Sequence, residues 1–247
     1  MASQTKPDIT LYDLACTKGV CFSPVVWRIR LMLNYKKVPY KTVFLEFPDI
    51  EPELKKLGIH PHSDASSTKP AYTVPAIIHH PSSTYLMDSV HISQFLESTY
   101  PHPPVPLSTT FGDGIILAAR STGVPAYRIS LLSREISILS PRSQEYFRST
   151  REKDLGHPLE QLLEGDKEEK VWAEQQEGME ELGRSMRANK AKGMFLEGKE
   201  PVYADFWIAG VMQCARVVDE GVWERFMGFE GWRDVYEACE EFMTKKD

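Results

Sequence analysis

The stretch Thr73-Val74-Pro75-Ala76-Ile77-Ile78 places a proline at the head of an apolar run. Proline has no N–H to give to a sheet ladder, so within a sheet it is confined to a strand's start or an edge. If the Val74-Pro75 bond is cis, as a small minority of X-Pro bonds are, the N–H and C=O of Val74 are left free to pair with an extended, peptide-like ligand. If it is trans, Pro75 does no more than open an edge strand. The residues that accompany this proline along the chain favour the first alternative.

The first companion is Asp88-Ser89, fourteen residues beyond Val74, followed by Val90, Ile92, Phe95 and Leu96 in a helical pattern that Pro101 stops. Ser89 is expected to cap that helix. Such a helix start can do more than cap itself, because its free N–H groups and dipole favour a ligand carboxylate while Asp88 receives a ligand ammonium. A γ-glutamyl group has both charges. The second companion is Ser23-Pro24, 52 residues before Pro75, which opens a run with Val25, Val26, Ile29, Met32 and Leu33 at helical spacing. Ser23 either caps this helix or also donates its hydroxyl proton to a thiolate. A free thiol titrates near 8.5, and lowering that by about 2 units asks for about 2.7 kcal/mol. One charge-assisted hydrogen bond at a positive helix end can supply it.

On these residues the chain resembles the cytosolic glutathione transferases. The order matches: Ile9-Thr10-Leu11-Tyr12-Asp13-Leu14 as a first strand, Ser23-Pro24 at a helix start, Val74-Pro75, then Asp88-Ser89. The segments Ser23 to Leu31, Pro48-Asp49-Ile50-Glu51-Pro52 and Tyr146 to Glu152 are similar to the fungal serine-type transferases related to bacterial β-etherases. The resemblance spans essentially the whole chain. It implies an α/β thioredoxin-like N-terminal domain that binds glutathione, an all-α C-terminal domain that forms much of the second substrate's pocket, and a homodimer. It further implies that Ser23 is catalytic and stabilises the thiolate. Val74 pairs with the cysteinyl backbone, Thr73 and Pro75 belong to the same glutathione-binding stretch, and Asp88 with Ser89 holds the γ-glutamyl end. The ligand's glycyl carboxylate is left to His60, His62 or Lys69.

Two positions depart from the family's pattern. A Ser or Thr normally stands three residues before the Asp that opens a buried helix of the second domain, whereas Asp205 here has Val202. The missing hydroxyl is worth about 1 kcal/mol of capping. The other departure is Cys21, two residues before Ser23, which could act as a nucleophile of the glutaredoxin-like kind. Ser23 ranks ahead of it because it stands directly before Pro24, at the helix end.

Length and composition agree. The 247 residues suffice for two domains, taken as 1–100 and 108–247 around a proline-rich linker at 101–107, and 42% hydrophobic residues suffice for their cores. Strand-like runs (9–14, 40–46, 74–79, 84–87) alternate with helical ones (24–36, 49–57, 89–99) in the first part, and helical patterns, including 168–191 and 206–218, fill the second. Residues 63–69 suggest a loop. A net charge of −6 argues against nucleic acid or an anionic membrane as partner. Four irregularly spaced cysteines suggest a reducing compartment, and with no leader-like or membrane-spanning run the expected location is the cytosol.

His60-Pro61-His62 with Asp64, and His79-His80, lack regular ligand spacing, so no metal is expected. Tyr12, Cys16, Phe22, Arg120, Tyr127 and Arg128 are candidates for the second-substrate pocket, each equally readable as ordinary core or surface. A thiolate held beside an apolar pocket attacks an electrophile to give a conjugate, or isomerises a conjugated alkene by reversible addition; the etherase resemblance implies thiolytic cleavage of an aryl ether as a third option. Since a fold never by itself fixes a function, a non-catalytic binding module is the further alternative.

Overall fold

The structure, a computed structural model, describes residues 7–63, 65, 66 and 70–245. Strand β1 (Ile9–Leu14) is buried along its whole length, as suits a strand covered on both faces. Helix α1 (Pro24–Tyr35) crosses from it to β2 (Tyr40–Leu45), which runs parallel to β1. A 3-10 turn (Phe47–Asp49) leads into α2 (Ile50–Lys56). Strand β3 (Ala76–His79) then lies antiparallel on the other side of β1, and β4 (Thr84–Met87) antiparallel to β3, giving the order β2-β1-β3-β4. Helix α3 (Ser89–Thr99) follows.

Helices make up the rest: α4 (Thr110–Leu131), α5 (Pro141–Leu155), α6 (Lys167–Met186), α7 (Tyr203–Val218), α8 (Glu220–Met227) and α9 (Glu230–Cys239). Every residue of α7 except Tyr203, Arg216 and Val217 is buried, which makes it the central helix of this half. A thioredoxin-like α/β part followed by an all-α part is the fold class expected above. Among the described residues no helix is long and apolar enough to cross a membrane.

The register of the sheet collects the residues of interest at one edge. Tyr12 faces Ala76 and Ala76 faces Met87, so the end of β1, the start of β3 and the end of β4 lie side by side. The first leads to Ser23, the second follows Pro75, and the third leads to Asp88. The position of α1 is set from inside by Arg30, which is completely buried. Its guanidinium donates to Asp13 of β1 at 2.9 Å, and to Tyr40 and Thr42 of β2 at 3.3 and 3.1 Å. Burial pushes the Asp13 carboxyl up to about 6 against the pull of the guanidinium, and it stays ionised at neutral pH. From outside, α1 is pressed against α7, where a Cβ at Gly210 would stand 2.9 Å from the Pro24 carbonyl oxygen. Only glycine permits that approach.

Three boundaries differ from expectation by more than one residue. β3 begins at Ala76 and not at residue 74, because Val74-Pro75 is a cis bond outside the ladder. α6 ends at Met186, after which bonds of the 3-10 type (Ala188 to Ser185 and Lys190 to Arg187, both 3.0 Å) tighten the chain into a turn at Lys190–Lys192. α7 starts at Tyr203 and not at 206, because Asp205 belongs to its first turn. The Asp205 carboxylate accepts the N–H groups of Val202 and Leu196, each at 2.9 Å. The acidic half of the capping box is thus present, and the hydroxyl half is absent as expected from Val202. Burial pushes the Asp205 carboxyl up to about 7, opposed by those two N–H donors.

Replacing Arg30 by Met leaves Asp13 buried and unpaired, and is expected to lower the unfolding free energy by about 3–5 kcal/mol in urea titration at pH 7. Adding Asp13→Leu recovers most of the loss, because the pair is then replaced by apolar packing. Val202→Thr restores the capping hydroxyl and is expected to stabilise the protein by about 1 kcal/mol in the same assay.

Candidate functional site

Ser23 is the cap of α1, and its Oγ accepts the Val26 N–H at 3.4 Å, a long contact for such a bond. As an acceptor toward its own helix, the hydroxyl keeps its proton for another partner. Ser23 faces a cavity of about 390 Å³ together with Thr73 and Val74. The Val74 N–H and C=O have no hydrogen bond among the described residues, so beside the cis Val74-Pro75 bond a donor and an acceptor of the main chain stand ready for an extended ligand. Thr73 is fixed from both sides. Its N–H donates to the Met87 sulfur at 3.2 Å, and its hydroxyl shares a hydrogen bond of 2.9 Å with His62 Nε2.

Asp88 lies beyond Pro75, its N–H donating to the Pro75 carbonyl at 3.2 Å. It, and not Ser89, caps α3: with φ at 80° the Asp88 carboxylate turns back and accepts the Val90 N–H at 2.8 Å. Asp tolerates that left-handed region better than most residues. Ser89 becomes the first helical residue, buried, with no hydrogen bond to its hydroxyl among the described residues. Neither Asp88 nor Ser89 lines the cavity that Ser23 and Val74 share.

The rest of that cavity comes from residues for which the chain pattern alone had suggested no site. Phe47, Ile50 and Glu51 form one wall, and Tyr146, Thr150 and Arg151 of α5 form a roof. The roof is fastened to the wall at its N-terminal end. Ser140 and Ser143 donate to the Glu46 carboxylate, Ser143 Oγ also accepts the Phe47 N–H at 3.1 Å, and Arg142 grips Asp49 with two bonds of 2.6 Å. Phe47 stacks on Tyr146 with ring centres 6.2 Å apart. Apart from Phe47, both surfaces fall in segments that mark the family resemblance, Pro48 to Pro52 and Tyr146 to Glu152, which was the available signal.

Of the other candidates, Tyr12 and Phe22 are core residues, and Cys16 is half-buried with its thiol donating to the Val20 carbonyl at 3.1 Å. None of the three lines the cavity. Arg128 is exposed, whereas Arg120 and Tyr127 line a separate cavity with Pro24. Of the candidates for a glycyl carboxylate, His62 touches Thr73, His60 is exposed, and Lys69 lies outside the described residues. Asp64 and most of the loop at 63–69 also lie outside them. His79 is buried and engaged with Ser82 and Tyr100, and His80 with Thr10. Cys21 is fully buried, and burial pushes its thiol up to about 12. It is a protonated core residue, which removes it as a rival nucleophile.

A family model described as the glutathione S-transferase N-terminal domain matches residues 22–99, and one described as the glutathione S-transferase C-terminal domain matches residues 116–242. A glutathione S-transferase-like protein of Aspergillus flavus, ustS, is 34% identical, the match covering 83% of this chain and 78% of that one. Among solved structures, a glutathione transferase of Phanerochaete chrysosporium superposes with a TM-score of 0.83 at 30% identity, over 96% of this chain and 97% of its own. A glutathione S-transferase of Ceriporiopsis subvermispora, in complex with glutathione, superposes with a TM-score of 0.85 at 28% identity, over 97% and 99%.

Burial predicts how the thiols react. Cys21, Cys214 and Cys239 are buried and Cys16 is half-buried, so an aromatic disulfide reagent at pH 8 is expected to titrate Cys16 rapidly in the native protein and all four thiols after unfolding. Cys21→Ala is expected to leave turnover within about twofold, since a neutral buried thiol takes no part in the chemistry.

Proposed function

Because this chain belongs to the glutathione S-transferase family, we propose that it is a glutathione-dependent transferase that acts on a hydrophobic, electrophilic small molecule. What supports this most directly is a single juxtaposition: Ser23 and Val74, whose main-chain groups are unpaired among the described residues, line one cavity. The residues fit glutathione, a peptide with a γ-glutamyl end. Val74 offers the N–H and C=O that a cysteinyl backbone needs, and Thr73 stands beside it. Asp88 keeps the carboxylate oxygen not used by its cap for an ammonium, and Ser89 opens a helix whose N-terminus favours a carboxylate. Of the candidates for the second carboxylate, His62 is the one held against Thr73.

Glutathione bound there supplies a thiol that, as thiolate, forms a carbon–sulfur bond with an electrophilic carbon as the leaving group departs or the neighbouring carbon takes a proton. The protein's part is electrostatic and positional. Ser23 donates its hydroxyl proton from the positive end of α1, which lowers the thiol's pKa. The α5 roof, with Tyr146 and Arg151 opposite the Phe47 wall, narrows the cavity above Ser23 and Val74. On family resemblance we take the working assembly to be a homodimer and its compartment to be the cytosol.

Ser23→Ala is expected to lower kcat at least tenfold, about 1.4 kcal/mol, with glutathione affinity changed less than threefold. Unchanged kcat would remove Ser23 from this role. Following glutathione consumption alongside alkene geometry separates the reactions: a conjugated alkene that changes geometry while glutathione stays constant would establish an isomerase in place of a transferase. No binding of glutathione by calorimetry would leave a scaffold.

A further inference from the structure

A second cavity, of about 270 Å³, lies where α1, α4 and α7 meet, and it begins one residue after the first one ends: Ser23 faces one and Pro24 the other. Its walls are Arg28 of α1 and Arg120 of α4, with Trp207 of α7 between them. The Arg28 guanidinium carbon stands 4.8 Å, and that of Arg120 5.8 Å, from the centre of the Trp207 ring. Val124, Tyr127 and Val211 complete the lining.

The polar inventory is one-sided. Among the described residues neither arginine has a carboxylate partner, and the group that meets the Arg28 guanidinium is the Tyr203 hydroxyl, although most other arginines in the chain are paired with acids, Arg134 with Glu168 and Arg225 with Glu169 for instance. Arg28 Nε is buried and unpaired, and so is the indole Nε1 of Trp207, a residue only 4% exposed. Burial pulls the Arg28 guanidinium down, and the groups that offset this are the hydroxyls of Tyr203 and Tyr127, with Arg120 working in the opposite sense. The acidic side chain that acts on Tyr127, Glu135, is itself pushed by burial up to about 7. Unpaired buried donors are costly, and two like charges over one ring repel unless an anion stands between them. A planar guanidinium fork matches a carboxylate with two parallel bonds. Trp207, Val124 and Val211 offer apolar faces beside it, and the volume suits a small ring better than a drug-sized molecule.

We propose that this cavity receives a carboxylate on the second substrate, Arg28 and Arg120 gripping the charge while Trp207 and the two valines hold an adjoining aromatic ring. This rests on the transferase reading above for the identity of the occupant, and names its chemical class: an aryl carboxylate, or a compound in which a carboxylate adjoins a conjugated system. Arg28 and Arg120 then determine specificity and leave the activation of the thiol to Ser23.

The test is equilibrium binding of 1-naphthoate to the whole protein without glutathione, followed by probe fluorescence, with the neutral 1-naphthamide as control. Naphthoate is expected to bind at least about tenfold more tightly than naphthamide. Arg28→Gln and Arg120→Gln are each expected to lose at least about tenfold toward naphthoate and to leave naphthamide unchanged. Equal binding of the two probes, or naphthoate binding undiminished in Arg120→Gln, would overturn the proposal. Arg120 is exposed, so this variant decides the matter even if Arg28→Gln fails to fold. Because glutathione is absent from the assay, failure to bind glutathione overturns only the transferase reading, and failure to bind naphthoate overturns only this one.

Discussion

Everything at the sheet edge depends on how α1 is held, and α1 is held by one buried ion pair. Arg30 reaches from the helix to Asp13 on the central strand β1 and to Tyr40 and Thr42 on β2, without solvent contact on either charged side chain. Such a pair gains little over apolar packing, because desolvating two charges costs about as much as their attraction returns. What it adds is direction. A leucine in place of Arg30 could slide along the sheet, whereas a guanidinium that must satisfy one carboxylate and two hydroxyls has one position. That position sets the start of α1, and with it Ser23, relative to the end of β1 and the start of β3. Gly210 complements it by letting α7 come against the Pro24 carbonyl, so the helix start is located from both sides.

Much of this was legible in the chain. The alternation of strand-like and helical runs, the cap at Ser23, the proline before an apolar run and the position of Asp88 are local properties, and local chemistry fixes them. The exchange of cap between Ser89 and Asp88 was not legible, because it turns on a positive φ at Asp88 that only the backbone reveals. Nor was the true length of β3: residues 74 and 75 look like strand in apolar content, yet the cis bond takes them out of the ladder. The demotion of Cys21 is a matter of burial, which neighbouring residues in the sequence do not disclose. The α5 roof was the largest omission, since it meets Phe47 across about a hundred residues of chain and only tertiary contact brings the two together.

The two cavities flanking the start of α1 differ in kind. One is bounded by main-chain groups and a hydroxyl, with aromatic rings above; the other by two cations and an indole. A helix start already concentrates positive potential, and Arg28, on the first turns of the same helix, extends it. Negative groups on either side are therefore drawn to the same few ångströms of backbone, while the acidic excess of the chain as a whole is spread over other helices.

The roof over the first cavity belongs to the sequence between α4 and α6, and its hydrogen-bonded ties to the wall run through side chains at its own N-terminal end: two serines onto Glu46 and an arginine onto Asp49. The parts beneath it, the sheet edge and the start of α1, share none of those ties. The cavity-facing positions Tyr146, Thr150 and Arg151 can therefore change without disturbing the floor, provided the anchoring turn and the buried Phe147 are kept. Chains that share the Tyr146 to Glu152 pattern would be expected to share this lid, and chains that depart from it to place a different lid over the same floor.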